Sequence, residues 1–232
     1  MDHFKTFYSS HASEYHRMIA VEDADGNLVT SLSQIANWPD ALVLDLGTGR
    51  FPLMFKDFQT RFICLDLFRA MLLENRLQRD KADGKWLLVQ GDMRTLPFPT
   101  GVFDIAIAGW SIGHLRAWYT DSWQMQIGLI LKEMERAVKP EGMIIICETL
   151  STGSLVPQPP TPELAEYFEW LEEKHNFSME IIPTDYKFDT VEQAVEYTEF
   201  FFGSELSDQI RKNRWARLPE WTGIWYKTVR ML

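Results

Sequence analysis

The sequence predicts a doubly wound α/β fold, in which a mostly parallel sheet is covered by helices on both faces. Near-continuous apolar runs at 41–46, 103–109 and 143–148 are typical of strands buried on both sides. Helical segments separate these runs, and this alternation indicates parallel strands. A glycine turn directly follows the first run, as at the ligand-binding edge of such sheets.

The individual elements follow from apolar periodicity and turn residues along the chain. Strands are predicted at 41–46, 61–65, 86–90, 103–109, 143–148, 179–186 and 221–229. Helices are predicted at 4–20, 30–37, 69–79, 122–137, 163–175, 189–202 and 204–214, with one more from about Pro52. Met71, Leu72 and Leu77 are expected to form an apolar stripe on the helix at 69–79. A turn at 139–142 is expected before the strand at 143–148.

The chain is predicted to form one structural domain with three segments. Residues 1–40 form a helical cap, 41–150 the ligand-binding core, and 151–232 the inserted lid helices with the last strands. Ser151 to Pro162 is rich in Ser, Gly and Pro, which predicts a loop and makes it a candidate cover for the active site. Aromatic residues crowd the last third of the chain, where they are most often core but could also roof a pocket.

Composition and charge exclude several classes of partner. The chain has 232 residues, 46% hydrophobic and 24% charged, as in ordinary globular domains. Its formal net charge of −10 opposes binding to a phosphate backbone, so no nucleic acid partner is expected. The basic cluster at 211–217 is interpreted as a solvated helix end. No apolar run could cross a bilayer and the N-terminus does not resemble a signal peptide, so we expect a cytoplasmic protein without a membrane partner.

The two cysteines, Cys64 and Cys147, fall inside predicted strands. Cysteines buried in strands behave as small hydrophobic residues, so no disulfide is expected. The spacing of cysteine and histidine does not match a metal site, and no metal is predicted.

The strongest functional signal lies between Ala41 and Asp66. The first strand is followed by Gly47 and Gly49, whose missing side chains let backbone N–H groups approach a ligand. The next strand ends at Asp66, about 20 residues later, at the spacing of the ribose-binding acid in dinucleotide-type folds. The chain is therefore predicted to bind a nucleoside-containing cofactor.

Five segments resemble, in order, the motifs of the class I S-adenosylmethionine (SAM)-dependent methyltransferases. They are Val43 to Gly49, Leu65 to Leu67, Gly91 to Met93, Leu96 to Asp104 and Arg136 to Gly142. The resemblance is carried by 41–150 and extends over most of the chain. It implies a Rossmann-like seven-stranded sheet with an antiparallel last strand. It also implies SAM as cofactor and S-adenosylhomocysteine (SAH) as product. The acidic net charge, the absence of a nucleic-acid motif and the aromatic last third of the chain favour a small, partly apolar methyl acceptor, with a protein acceptor as the alternative.

The resemblance gives the acidic residues cofactor roles. Asp45 would orient the glycine loop or receive the cofactor's ammonium, Asp66 would accept from the ribose hydroxyls, and Asp92 from the adenine amine. Leu67 and Met93 would pack on the two faces of adenine. Structural interpretations stand beside these roles: Asp66 and Asp92 as cap or turn residues, and Leu67 as core.

The methionine end of the cofactor is expected beyond the fourth strand. Gly109 and Trp110 would line it, although Trp110 could equally be a core aromatic. Tyr15 lies on the N-terminal segment, which folds over the cofactor in similar enzymes. It would reach the methionine carboxylate, with simple packing as the alternative.

His114 is the candidate catalytic base, needed where the acceptor loses a proton during transfer. It lies just beyond the fourth strand, where acceptors meet the methyl group in similar enzymes. The alternative is a histidine hydrogen-bonded to backbone near a helix start. Glu148 and Thr149, at the end of the fifth strand, are weaker candidates on the same cleft.

The glycine loop departs from the family pattern. Phe51 stands where a third glycine is usual, and the segment from Asp45 to Asp66 is about two residues short. A trimmed loop that admits SAM predicts a methyltransferase, whereas a loop too tight for it predicts a non-catalytic SAM- or SAH-binding protein. An NAD-dependent oxidoreductase is a third hypothesis, but it would normally carry a full G-x-G-x-x-G loop. A monomer and a homodimer are equally compatible with the sequence.

Overall fold

The computed structural model describes residues 11–230, and the first part of the helix predicted at 4–20 lies outside them. The helices are α1 Ala12–Ile19, α2 Asn27–Ile35, α3 Phe51–Met54, α4 Arg69–Lys81, α5 His114–Trp118, α6 Trp123–Ala137, α7 Pro162–His175, α8 Val191–Phe202 and α9 Ser204–Asn213. The strands are β1 Leu42–Leu46, β2 Arg61–Asp66, β3 Leu87–Gln90, β4 Phe103–Gly109, β5 Val138–Thr152, β6 Ser178–Pro183, β7 Tyr186–Lys187, β8 Arg217–Leu218 and β9 Glu220–Thr228.

Seven strands form one sheet in the order β3-β2-β1-β4-β5-β9-β6, and β7 pairs with β8 separately. The strands from β3 to β5 run parallel, whereas β9 is antiparallel to both of its neighbours. The predicted Rossmann-like sheet with an antiparallel last strand is therefore confirmed. In such sheets ligands bind outside the carboxyl ends of the strands where the strand order reverses, which here is between β1 and β4.

Alternate residues of the central strands belong to two cores, one on each face of the sheet. Leu44 and Ala106 pack in the cluster that contains the buried face of α6, whereas Val43 and Ile105 pack in the cluster that contains Leu28 of α2. Both faces are thus covered, which explains the near-continuous apolar runs. Cys64 and Cys147 are buried and unpaired, as predicted.

Two helices differ from their predicted form. α2 begins at Asn27 rather than Thr30, because the Asp23 carboxylate accepts the N–H groups of Asn27 at 2.9 Å and Leu28 at 3.1 Å. α3 contains Pro52 in its first turn as predicted, but it ends at Met54.

The apolar stripe predicted on α4 was wrong. Met71 is buried, but Leu77 is 52% exposed, and the other buried residues of the helix are Glu74 and Asn75. This face is polar because it packs against the glycine loop and α1 rather than against an apolar layer: Asn75 bonds to the loop and Glu74 accepts from Ser13 at 2.7 Å.

β5 begins at Val138 rather than Met143. The ladder to β4 pairs Phe103 with Val138 and then Ile105 with Met143, so the predicted turn at 139–142 is a bulge inside the strand. Gly142 is required there, because an added Cβ would lie 2.7 Å from the Asp104 carbonyl oxygen.

Of the helices between residues 11 and 230, none combines the length and apolar character needed to span a membrane.

Candidate functional site

A cavity opens at the carboxyl ends of the central strands, beside the reversal of strand order. It encloses about 1030 Å³ of empty space, its open mouth included. Its wall contains ten of the eleven residues predicted from the sequence: Tyr15, Gly47, Gly49, Asp66, Leu67, Asp92, Met93, Gly109, Trp110 and His114. The eleventh, Asp45, is fully buried near the end of β1. Glu148 and Thr149 do not line the cavity.

The two glycines of the loop after β1 are required for different reasons. Gly47 has φ +82°, and an added Cβ would lie 2.5 Å from the Cβ of Ser111. Around Gly49, the nearest such contact among the described residues is the Gly47 carbonyl oxygen at 4.0 Å. Packing within the protein therefore demands a glycine at 47, whereas at 49 it leaves space beside the cavity.

Asn75 of α4 braces this loop. Its side-chain amide donates to Thr48 Oγ1 at 2.8 Å and to the Gly49 carbonyl at 3.0 Å. The Asn75 carbonyl oxygen accepts from Trp86 Nε1 at 2.6 Å. The Asn75 side chain thus connects the loop to α4 and to the residue preceding β3. Both its NH₂ group and its carbonyl oxygen are hydrogen-bonded.

Phe51, at the position of the missing third glycine, packs in the core and also lines the cavity. Its ring is almost fully buried and lies against Gly109, where an added Cβ would meet Phe51 Cε2 at 2.5 Å. It also stacks on Trp110 at 6.0 Å between ring centroids. Gly109 is therefore small because Phe51 occupies the adjacent space.

We call the cavity wall formed by Asp66, Leu67, Asp92 and Met93 the acidic side, since it follows β2 and β3 in the sheet. Asp66 accepts the Phe68 N–H at 2.7 Å, which closes an Asx turn before α4, and it also lines the cavity. Burial raises the pKa of Asp66 to about 7, although the N–H groups of Phe68 and Thr48 oppose the shift. The alternative in which Asp66 caps α4 was wrong, because the first turn of α4 has no side-chain cap and Phe68 is the N-cap residue.

Asp92 is held by Arg94, a residue that the sequence analysis missed. Arg94 Nε and Nη2 donate to the two oxygens of Asp92 at 3.0 and 2.5 Å. Arg94 Nη1 donates to Tyr119 Oη at 3.0 Å and to Gln126 Oε1 at 2.6 Å. Hydrogen bonding from Arg94 therefore lowers the pKa of Asp92 and fixes its carboxylate as an acceptor at the cavity wall.

Asp45 is the least satisfied acid near the cavity. Neither of its carboxylate oxygens has a hydrogen-bond partner of ordinary geometry among the described residues. Burial, followed by the charge of Asp66, raises its pKa to about 8, and the nearby Cys64 thiol and Gly49 N–H only partly oppose this. At neutral pH Asp45 is therefore mainly the protonated acid, with a carboxyl group whose oxygens the described residues leave without a partner.

We call the wall formed by Ile19, Glu22, Arg50 and Trp110 the arginine side. Trp110 follows β4, and β1 separates β4 from the strands β2 and β3 of the acidic side. Arg50 Nη1 donates to the Ile19 carbonyl at 3.0 Å, and Nη2 lies 3.2 Å from Glu22 Oε1. The guanidinium lies 4.8 Å from the Trp110 ring centroid. Trp110 has φ +51°, an uncommon conformation for a bulky residue, and it is a wall of the cavity.

His114 begins α5 and faces the cavity. Its ring stacks on Trp118 at 5.5 Å between centroids. The preceding Gly113 N–H donates to Glu148 Oε1 at 2.8 Å, and burial raises the pKa of Glu148 to about 8. Glu148 thus supports the turn that presents His114 and does not itself reach the cavity.

Tyr15 faces the cavity from α1, and α8 and α9 pack behind it, with Phe201 at 5.5 Å from its ring. The residues of α8 and α9 and of the loop at 153–161 do not line the cavity. The loop is therefore not part of the cavity wall, and the late aromatic residues pack in or against the cores, as the first of the two interpretations expected. The inserted helices are present, but they bury their apolar faces against α1.

The sequence signal for the missed residues is weak but identifiable. Ser111 and Trp118 flank His114 and share its cavity wall, so their proximity to the fourth strand could have found them. Glu22 and Arg50 carry no motif of their own, and only the fold brings them together.

Comparison with known proteins finds methyltransferases. Residues 44–146 match the model of a methyltransferase domain. The malonyl-[acyl-carrier protein] O-methyltransferase of Legionella pneumophila is 28% identical over 144 residues, which cover 60% of this chain and 46% of that protein. The enzyme of the same name from Yersinia pestis is 29% identical over 148 residues, covering 64% and 50%. The chain thus spans about half the length of the curated relatives it matches.

Among solved structures, phosphoethanolamine N-methyltransferase 2 of Haemonchus contortus, in complex with SAH, superposes with a TM-score of 0.62. The alignment covers 98% of this chain and 59% of that chain at 15% identity, so this likeness concerns the fold. The matched segment at 44–146 contains the glycine loop and both acids of the acidic side. Residues 44–146 are thus similar to a methyltransferase domain, and the fold around them is that of solved methyltransferase structures.

Proposed function

We propose that this protein transfers a methyl group from SAM to a small, partly apolar acceptor bound in the cavity. The observation that carries the proposal is that the residues expected to hold SAM line one cavity together with a candidate base, His114.

The cavity wall fits SAM at both ends. Asp66 and Asp92 would accept from the ribose and the adenine amine, with Leu67 and Met93 against the ring. At the other end, Asp45 lies behind the cavity wall rather than in it, so it would receive the ammonium group through water. The space beside Gly49 admits a ligand close to the loop backbone.

SAM supplies a methyl group already activated on a sulfonium, so the protein mainly has to hold and align the acceptor and exclude water. Aromatic and aliphatic side chains of the cavity wall, such as Trp110, Leu115 and Trp118, suit a partly apolar acceptor. His114 would take a proton from a hydroxyl or amine acceptor. A carboxylate acceptor is already ionised near neutral pH and would not need this step.

The names of the curated relatives support a carboxylate oxygen as the first acceptor to test. With a carboxylate acceptor, His114→Ala should change kcat little, whereas a hydroxyl or amine acceptor should lose about 100-fold or more. The affinity for SAM should be unchanged in either case, which separates loss of the base from damage to the cofactor site.

Calorimetric titration with SAM, SAH and NADH tests the cofactor part of the proposal. Micromolar binding of SAM and SAH without binding of NADH is the expected result. Asp66→Asn is the matched variant, because the amide oxygen can still accept the Phe68 N–H while the charge that would bind ribose is lost. Folded wild-type protein that binds neither adenosyl compound would refute the proposal. Tight SAM binding without turnover of carboxylate, hydroxyl, amine or thiol acceptors would favour the non-catalytic binding protein instead.

A further inference from the structure

The side chain of Arg50 has more hydrogen-bond donors than its surroundings use. The residue is 7% exposed and lines the cavity. Among the described residues, the Arg50 side chain makes one hydrogen bond, which Nη1 donates to the Ile19 carbonyl. Nε and Nη2 are buried without a hydrogen-bond partner there, and the Nη2 contact to Glu22 is an ion pair without hydrogen-bond geometry. Nε and Nη2 form one edge of the guanidinium, the edge that binds a carboxylate through two parallel hydrogen bonds.

The charges around Arg50 favour an anionic ligand. Glu22 lies beside it, and Glu220, which is almost fully buried, interacts with both of them. Burial raises the pKa of both glutamates, and the charge of Glu22 adds to the rise at Glu220, whereas Arg50 opposes the rise at both. Protonation of either acid leaves the guanidinium charge less compensated in a low-dielectric wall. A ligand anion would restore that compensation.

We propose that the Nε and Nη2 edge of Arg50 is a carboxylate-binding subsite on the arginine side, above the ring of Trp110. This inference rests on the proposed function, because it assigns a ligand group within the same cavity. Two ligands could present the carboxylate: the methionine moiety of SAM, or the methyl acceptor.

Decarboxylated SAM provides the first arm of the test, since it differs from SAM by the carboxylate alone. Calorimetric dissociation constants for both compounds are compared in wild type, Arg50→Met and Glu22→Gln. If Arg50 binds the cofactor's carboxylate, wild type should prefer SAM by about 10- to 100-fold. Arg50→Met should lose that preference through weaker binding of SAM, with decarboxylated SAM affected little.

The second arm tests the acceptor. SAH-saturated protein is titrated with the malonyl thioester of N-acetylcysteamine and with its methyl ester, in which the carboxylate is capped. If Arg50 binds the acceptor's carboxylate, wild type should bind the free acid at least about 10-fold more tightly than the ester. Arg50→Met should remove the difference.

Glu22→Gln separates a ligand subsite from a structural latch. A ligand-binding Arg50 keeps its preference for a carboxylate when Glu22 loses its charge. If the Arg50–Glu22 pair only holds α1 against the loop, both variants should instead weaken SAM and decarboxylated SAM alike, and the inference fails.

Unchanged preferences of Arg50→Met in both arms would also overturn the inference while leaving the proposed function intact. If Arg50→Met does not fold, Arg50→Lys replaces it, because lysine keeps the charge but not the two-donor edge. Wild-type protein that binds neither SAM nor decarboxylated SAM would instead overturn both proposals.

Discussion

The two sides of the cavity differ in how far the protein has already satisfied its own polar groups. On the acidic side, Asp66 accepts a backbone N–H and Asp92 is held by Arg94. On the arginine side Arg50, and within β1 the buried carboxyl of Asp45, lack hydrogen-bond partners for several polar atoms among residues 11–230. Polar groups that are already hydrogen-bonded within the protein stabilise the fold and also hold the site in shape for the ligand. Buried polar groups without a partner lower folding stability, and a bound ligand supplies the missing hydrogen bonds. Substitutions on the two sides should therefore change stability and affinity differently.

The largest effect is expected for Asp45→Asn. The folded-state pKa of Asp45 is raised to about 8, above its unfolded value, so the folded state holds a proton that the unfolded chain has released. This contribution to stability is complete below about pH 4 and is lost as pH rises toward 8. Asparagine cannot ionise, so the free energy of unfolding of Asp45→Asn relative to wild type should increase by at least about 2 kcal/mol between pH 5 and pH 8.

Urea unfolding at both pH values measures this change, and titration with SAM supplies the other half of the comparison. At pH 8, where Asp45→Asn has gained stability relative to wild type, we expect its affinity for SAM to be lower than that of wild type. Equal SAM affinities of the two proteins would show that Asp45 does not contact the cofactor.

The next effect separates the two loop glycines. Gly47→Ala combines a left-handed backbone with a Cβ 2.5 Å from Ser111, and it should lower the free energy of unfolding by about 1–3 kcal/mol. Gly49→Ala meets no such contact and should unfold like wild type, yet bind SAM more weakly. Thermal unfolding with SAM titration of both variants is the measurement. Equal SAM affinity in Gly49→Ala and wild type would place the ligand away from the loop.

A smaller effect is expected for Asn75→Ala, which removes the brace and leaves the buried Trp86 Nε1 without its acceptor. The loss should be about 1–2 kcal/mol of unfolding free energy, accompanied by weaker SAM binding. Leu77→Ala is the matched control on the same helix, because Leu77 is exposed and should change neither. A brace that serves stability alone would leave the SAM dissociation constant of Asn75→Ala at the wild-type value.

The smallest effect is expected for Arg94→Met. Its side chain is partly exposed, so the loss of unfolding free energy should be about 1 kcal/mol, with SAM affinity lower by several-fold as Asp92 loses its orientation. Arg76→Met, on the exposed surface of α4, serves as the control. Stability and affinity should fall together, in contrast to Asp45→Asn. A higher free energy of unfolding in Arg94→Met than in wild type would contradict the view that the polar groups of the acidic side stabilise the fold.

The sequence predicted the sheet and most of the cavity wall because their signals are local. Apolar runs defined the strands, and Gly47 and Asp66 follow those strands directly, so chain order alone placed them at one edge of the sheet. The polar face of α4 was mispredicted because Asn75 serves a loop that lies 26 positions earlier in the chain. The apolar periodicity of a helix carries no information about a hydrogen bond between its side chains and a distant loop.

The sequence by itself determined the fold class, the strand-end acids and the glycine loop. Each depends on residues that are close neighbours in the chain, and parallel connectivity carries them to a common edge. Only the tertiary structure decided that Phe51 packs against Gly109, that α8 and α9 pack against α1, and that Arg50 meets Glu22. These outcomes depend on which distant side chains share a buried space, and that is set by packing rather than by any local pattern.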